Sequence, residues 1–384
     1  MINEKLEKNY YPAWAEINLF NIKFNFLQLK KMVGNKVKML IAVKAEAYGH
    51  GMLEVSEQLA DGGVDYLGVA SINEALILRK GKIKIPILVM GNVYDKNQIK
   101  QAAMAGISLT ISDLAGARNI NKNVKGLKKT KVHINIDTGM GRIGIWYETA
   151  FADILKICKM NNLDIEGIFT HFPSADTDIK FTQKQISLFK EIINKLRKNG
   201  INIPFIHAAN SSAIFNLKKE DRELFNMIRP GLMIYGMYPC PEIKKRSRLK
   251  FRPVLELKSR IVFLKTADKG RTISYGSVYK VRKKTRIATI SIGYADGYVR
   301  TLSDKANVLI KGDLYPVVGR VCMDQLMVDI GLSANIKVGD VVTLIGSQGN
   351  KIISAETLAS FCDTIPYEIT CGISARVKRT FKKH

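Results

Sequence analysis

Short apolar runs without polar alternation recur at a regular beat along the first two thirds of the chain. They are KMLIAVKA (38–45), YLGVAS (66–71), IPILVMG (85–91), ISLTIS (107–112), VHINID (132–137), IEGIFTHF (165–172), FIHAAN (205–210) and MIRPGLMIYG (227–236). Unbroken apolar strands of this length suit a parallel sheet covered on both faces. The segments between them have helical periodicity. Leu53, Ser56 and Leu59 are spaced along one face of 52–59, and Phe181, Ile186, Phe189, Ile193 and Leu196 form a stripe over 181–196. Gly200 follows where a helix end calls for a left-handed residue. Eight strand–helix units predict an α/β fold, a (β/α)8 TIM-like barrel. A doubly wound open sheet is the alternative.

The pattern changes after the prolines at 239 and 241 and the basic stretch 244–252. Runs rich in Val, Ile and Thr now alternate with Gly-Asp and Lys-Gly turns: LELKSRIVFLKTA, TRIATISIGYADGY, NVLIKGDLYPVVGRVCMDQLMVDI and GDVVTLIG. These predict a mostly antiparallel β domain. One helix is expected over 354–362, where Ser354 and Thr357 offer capping chemistry. The expected division is a barrel over 14–245 and a β domain over 246–384, the latter joined by an N-terminal strand from 1–13. A length of 384 residues fits two such domains.

Composition is that of an ordinary globular protein, with 46% hydrophobic and 24% charged residues. Charge is the unusual feature: 60 Lys+Arg against 34 Asp+Glu leave a net +26. That excess admits a nucleic-acid or anionic-membrane partner. However, the basic residues are dispersed, and lysine accompanies abundant Ile and Asn, a bias that A/T-rich codons produce without selection on the protein. Five cysteines without a C-x-x-C pair argue against a disulfide framework or a zinc site and for a reducing compartment. The first residues carry Glu4 and Glu7 and no apolar signal core, and no run approaches the roughly 20 residues that span a bilayer. The expectation is a cytoplasmic protein without a membrane or nucleic-acid partner.

In such a barrel, reactive groups belong at the C-terminal ends of strands. Lys44 follows four apolar residues in IAVKAEAYGHG, where desolvation would lower its pKa and permit Schiff-base chemistry. The alternative is a strand-end lysine reaching into solvent. Tyr48 and the glycines at 49 and 51 place a hydroxyl and a flexible turn before a helix N-terminus suited to phosphate. Arg229 ends the eighth run, and Gly231-Leu232 opens a turn whose N–H groups can meet an anion. Ser211 offers a hydroxyl or an ordinary helix cap. His171 is a strand-end ligand or a structural histidine. In DTGMGRIG, Gly139 and Gly141 allow a sharp turn that presents Arg142 to a carboxylate or phenolate.

The segment Lys44-Ala45-Glu46-Ala47-Tyr48-Gly49-His50-Gly51 resembles the pyridoxal-phosphate attachment signature of the alanine racemases. The resemblance runs from about Trp14 to Arg376 through motifs in the family's order, at 137–144, 170–172, 209–211, 229–236, 274–276, 293–297, 319–325 and 366–368. It implies that Lys44 holds pyridoxal 5'-phosphate in Schiff-base linkage and is the base for the D-enantiomer. Tyr275 would be the opposing base for the L-enantiomer. Tyr48, Ser211, Gly231, Leu232 and Tyr367 would bind the cofactor phosphate. Arg229 would face the pyridine nitrogen with His171 hydrogen-bonded to it. Arg142 and the Met323 N–H would meet the cofactor hydroxyl and the substrate carboxylate. The resemblance also implies a homodimer in which Tyr275 and Met323 serve the partner's site, and Tyr294, with Tyr367, narrows the entrance.

Racemisation needs a proton acceptor and donor on each face of Cα, so two bases with reference pKa values near 10 suit it only where burial and cations tune them. Arginine at the ring nitrogen will not give up its proton, which leaves the ring a weaker electron sink and favours reprotonation at Cα. Two positions depart from the family's commonest form. Asn135 replaces a lysine that is carbamylated in some members, so a small anion or Asn135 itself would orient Arg142. Leu232 replaces isoleucine, of little consequence for a backbone contact. Without the resemblance, Cys322, Met323 and Tyr294 read as core packing. The expected activity is interconversion of L- and D-alanine for peptidoglycan. A racemase for serine or a basic amino acid, a related decarboxylase and a basic nucleic-acid binder are the alternatives.

Overall fold

The computed structural model describes residues 11–332 and 335–382; the first ten residues of the expected N-terminal strand lie outside them. The chain forms two compact units. In the one made of 22–47 and 52–252, eight strands lie parallel: Lys38–Ala42, Tyr66–Val69, Ile87–Val89, Ser108–Ile111, Thr130–Asp137, Leu163–Phe169, Phe205–His207 and Met227–Ile228. Each is hydrogen-bonded to the next in chain order, and Met227 opposite Lys38 closes the ring. Closure excludes the open sheet. The 66–69, 87–89 and 108–111 strands are buried throughout, which is why their sequences do not alternate.

The helices follow the strands, and several begin on capping side chains. Asp95, Asp113, Asp178 and Asn210 each accept from backbone N–H groups of the next turn. The Ile179–Lys198 helix buries Ile186, Phe189, Ile193 and Leu196, as its stripe predicts, and ends at Gly200 with φ +74°. Its stripe is completed by Thr182, Gln185 and Ile192, while Phe181 is only half-buried. Likewise Met52 and Val55 replace the expected Leu53 on the buried face of Met52–Asp61. The eighth run is mostly not strand. Pro230 has no N–H to extend the ladder, and Leu232–Tyr235 winds into a 3-10 turn ended by Gly236 at φ +84°.

One irregularity bears on the site. Val132 pairs with Ile165 and His133 with Gly167, so Glu166 is an extra residue, a β-bulge. Gly167 leaves room for the His133 ring: a Cβ there would come within 2.1 Å of His133 Nδ1.

The second unit, 1–21 with 48–51 and 253–384, is built on a nine-stranded sheet. Its long strand, Leu255–Ala267, pairs antiparallel with Ala13–Asn18, Thr285–Ile290 and Val341–Gln348. Ala13–Asn18 also pairs parallel with Lys378–Lys382. Ser354 caps Ala355–Phe361 by accepting from Thr357 N–H at 3.2 Å, as expected. A further helix, Pro366–Cys371, was not anticipated; it carries Tyr367 and has proline in its first turn.

Glu16 ties three strands of this sheet. Its Oε2 lies 3.0 Å from Lys258 Nζ and 2.5 Å from Lys382 Nζ, and Trp14 Nε1 donates to Oε1 at 3.0 Å. Burial alone would raise its pKa, but the donors from Lys382, Trp14 and Lys258 outweigh it and hold the carboxyl at about 2. A carboxyl depressed in the fold stabilises above its unfolded pKa, and that contribution is lost as pH falls towards the folded value. Urea midpoints should therefore drop between about pH 5 and pH 2, and Glu16→Gln should flatten part of that slope.

Candidate active site

Lys44 stands two residues beyond the first barrel strand and is half-buried. It opens a left-handed helical turn, Lys44–Gly49, in which Ala45, Glu46, Ala47 and Tyr48 have φ of 51°, 54°, 53° and 56°. This is not the flexible turn that the glycines suggest. L-residues in this region cost about 1–2 kcal/mol each, so the turn persists only because its surroundings over-determine it. Ala45 N–H donates to Glu74 Oε1 at 2.8 Å, and Met52 N–H to Glu46 Oε2 at 3.2 Å. The other oxygen of Glu74 accepts from Ala70 and Ser71 N–H, so one carboxylate braces two strand–helix loops. At Gly49 only glycine fits, since a Cβ would lie 2.1 Å from the Thr370 carbonyl oxygen.

Around the same end of the barrel, the fifth to eighth strands present Arg142, His171, Ser211, Arg229, Gly231 and Leu232. The DTGMGRIG loop is held from within. Asp137 accepts from the N–H groups of Gly139, Met140, Gly141 and Arg142. Asn135, buried in the strand, donates to Ile143 O at 2.8 Å. Asn135 therefore holds the backbone beside Arg142, whose side chain is exposed. Ser211 is not the helix cap; Asn210 is, accepting from Ala213 N–H at 3.0 Å. This frees the Ser211 hydroxyl to accept from Gly231 N–H at 3.2 Å, so the Gly231 amide is engaged rather than open.

Arg229 is the buried cation of this site. It donates to His207 Nδ1 at 2.8 Å, to Thr170 O at 2.8 Å, to His171 Nδ1 at 3.3 Å and to Ala208 O at 3.3 Å. These four acceptors are uncharged. Burial, and then the neighbouring Arg142 charge, lowers its pKa to about 9. His171 is held neutral, its pKa depressed to about 3 by burial and by Arg229, Arg142 and Lys44. His207 is pushed well below the usual imidazole range by burial and then Arg229. Sequence reasoning placed His171 against Arg229 but missed His207, which sits unremarked inside the apolar run FIHAAN. It also missed the bracing role of Glu74.

The second unit carries the remaining predicted residues. Tyr275 lies on a strained loop: Ser274, Gly276 and Ser277 all have positive φ, 68°, 72° and 51°. Ser274 Oγ donates to Arg320 O at 2.5 Å and lies 3.5 Å from Cys322 Sγ, which brings the Tyr275 and Met323 loops together. The Cys322 and Met323 carbonyls accept from Tyr294 and Ala295 N–H, both at 3.0 Å. Gly293 makes this close approach possible, since a Cβ there would lie 2.3 Å from either oxygen. Arg376 spans Asp296 and Asp324 at 3.3 and 2.8 Å. Tyr275 is 69% and Met323 52% exposed, and Tyr294 is also exposed. Tyr48 and Tyr367 meet edge to face at 6.2 Å. Burial raises the Tyr48 phenol above its usual range, keeping it protonated and able to donate.

The chain matches the family model for the alanine racemase N-terminal domain over residues 17–239 and that for the C-terminal domain over 254–381. It is 42% identical to the alanine racemase of Halothermothrix orenii over 380 residues, 97% of each chain. It is 41% identical to that of Clostridium tetani, over 97% of this chain and 96% of the relative. Among solved structures, the alanine racemase of Clostridium difficile 630 superposes with a TM-score of 0.90 at 40% identity, covering 98% and 97% of the two chains. The enzyme of Bacillus anthracis with bound L-Ala-P superposes with a TM-score of 0.91 at 36% identity, covering 98% and 96%. The chain belongs to the alanine racemase family.

Proposed function

We propose that this chain interconverts L- and D-alanine with pyridoxal 5'-phosphate as cofactor, as a cytoplasmic homodimer supplying D-alanine for peptidoglycan. The observation that carries the reading is Arg229, a buried guanidinium whose partners at the barrel's catalytic end are all neutral. The donor set there fits the cofactor. A half-buried lysine amine suits its aldehyde, the Ser211 hydroxyl, which holds the Gly231 amide, and the Leu232 amide beside it suit a phosphate, and a fixed cation suits a ring nitrogen. When bound through Lys44, the cofactor supplies the electron sink that acidifies the Cα–H bond.

The rest is the work of the chain's own residues. Lys44 Nζ and the Tyr275 hydroxyl take and return the proton at Cα from opposite faces, Lys44 for the D-enantiomer and Tyr275 for the L-enantiomer. Arg229 has a pKa of about 9 and stays charged near neutrality, so it donates a hydrogen bond without delivering its proton. His171 is neutral and accepts from Arg229, which fixes the guanidinium plane. Arg142 and the Met323 N–H take the substrate carboxylate, while Tyr48 and Tyr367 add hydroxyl donors for the phosphate. The exposure of Tyr275 and Met323 supports their supply to a partner's site: side chains that their own unit leaves exposed are available to complete a second chain's site, where cations would favour an ionised phenol.

The reconstituted enzyme should show the visible absorbance of a lysine Schiff base, discharged by borohydride. Lys44→Ala should lose both the band and at least about a hundredfold in kcat. No band after adding the cofactor to the unmodified chain would refute the reading, and serine turning over faster than alanine would redirect it to another racemase. Shared sites predict complementation. Lys44→Ala and Tyr275→Phe chains, each inactive, should recover about a quarter of wild-type activity when co-refolded, because half of the dimers then carry one intact site. No recovery would place both bases in one chain.

A further inference from the structure

The contacts of Arg229 do not end at His207. His207 Nε2 lies 2.9 Å from His133 Nδ1, and His133 Nε2 lies 3.4 Å from Glu166 Oε2. That contact is a facing pair rather than a well-aligned hydrogen bond, and the nitrogen has no hydrogen-bond partner among the described residues. Both histidines are fully buried, with no exposed surface, and Glu166 is buried as well. The bulge makes Glu166 the extra residue opposite the Val132–His133 step, and bulges re-aim side chains in this way. Around Glu166, Lys131 Nζ donates to Oε1 at 2.7 Å, Ser108 Oγ donates to Oε2 at 3.2 Å, and the Tyr66 hydroxyl also donates to Oε2.

The chain has one self-consistent proton arrangement. Arg229 has only donors, so His207 Nδ1 must be bare and its proton must sit on Nε2. His207 then donates to His133 Nδ1, and His133 carries its own proton on Nε2, facing Glu166. Both hydrogen bonds from Arg229 to His133 therefore point the same way, and the last N–H faces a carboxylate. Such aligned bonds polarise one another in a low-dielectric interior. We propose that Glu166 is a positioning residue for Arg229: through His133 and His207 it sets the direction of this chain and so fixes the guanidinium at the catalytic end of the barrel. Its catalytic consequence rests on the role proposed above for Arg229; the proton arrangement does not. Carboxyl burial alone would make Glu166 easier to protonate, but the donors from His133, Lys131 and Tyr66 overcome that and keep it at about 2, so the acceptor is in place at neutral pH.

Glu166→Gln tests this by reversing the chain. Lys131 can only donate, so the new carbonyl should face it and the amide NH2 should face His133. His133 must then accept at Nε2 and move its proton to Nδ1, which forces His207 Nδ1–H against Arg229, donor against donor. The five histidines of the 15N-histidine-labelled holoenzyme, assigned by removing each in turn, report which ring nitrogen is protonated. In the unmodified enzyme His133 and His207 should both be protonated at Nε2. Glu166→Gln should move the His133 proton to Nδ1 and lower kcat by roughly ten- to hundredfold, the range of other outer-shell partners, with a much smaller change in KM. Glu166→Asp should keep the original tautomers and recover most of kcat. An Nδ1 proton on either histidine in the unmodified enzyme, or unchanged tautomers in Glu166→Gln, would overturn the proposal. So would a normal kcat in a folded Glu166→Gln whose tautomers have reversed. If that variant does not fold, the tautomers of the unmodified enzyme still decide. Absent racemase activity with the expected tautomers would instead fail the proposed function and leave the chain standing.

Discussion

A guanidinium buried at the end of the eighth barrel strand is the constraint to which the rest of the site answers. A bare buried charge costs several kcal/mol, and among the described residues Arg229 has no carboxylate paired with it to offset that cost. The barrel meets the cost with oriented dipoles instead. Thr170 and Ala208 offer carbonyls because their strands end there, and His171 and His207 offer imidazoles held neutral by the same burial. Phe169 adds a ring face 5.1 Å from the guanidinium carbon. Gly167 makes the space for the His133 ring. Sequence, packing and electrostatics here are one problem, because Gly167 in one strand is the room that the His133 ring of the neighbouring strand needs.

A second investment lies in the backbone. Four consecutive L-residues held left-handed after Lys44 store several kcal/mol by the usual per-residue figure, and the loop around Tyr275 has three positive φ values of its own. Strain at both proposed bases is intelligible. A proton-transferring atom must be held in one place, and a strained turn pinned by Glu74, Glu46 and the Gly49–Thr370 approach has fewer alternatives than a relaxed one.

The barrel was legible because its strands are buried on both faces and so read as unbroken apolar runs, and Ser354 was legible because capping is a local event. The left-handed turn was not: Ala-Glu-Ala carries none of the glycine or asparagine that signals positive φ, and only contacts to distant residues hold it there. The last run was over-read as strand although its own Pro-Gly argued against it. His207 was hidden by its apolar neighbours, since a histidine inside a barrel looks like packing until its partner is known. Glu166 left a trace. A Glu-Gly pair inside the apolar run IEGIFTHF breaks strand preference twice, which is how a bulge appears in a sequence.

The two proposed bases stand in opposite environments, and that contrast constrains how the enzyme is assembled. Lys44 is half-buried at the barrel end beside Arg142, Arg229 and His171, so its surroundings are already desolvated and cationic. Tyr275 is mostly exposed, on a loop whose geometry is fixed by Ser274, Arg320 and Cys322 but whose phenol is not enclosed. Shape without cationic neighbours is half of what the reaction asks of Tyr275, since burial alone disfavours a phenolate and nearby cations favour it. On the proposed reading, a second chain supplies the other half, with the cations around its own Lys44 lowering the cost of an ionised tyrosine. The excess of 26 positive charges plays no part in this: a handful of placed cations at the barrel end do the electrostatic work, and the remainder are read as compositional bias on solvated faces.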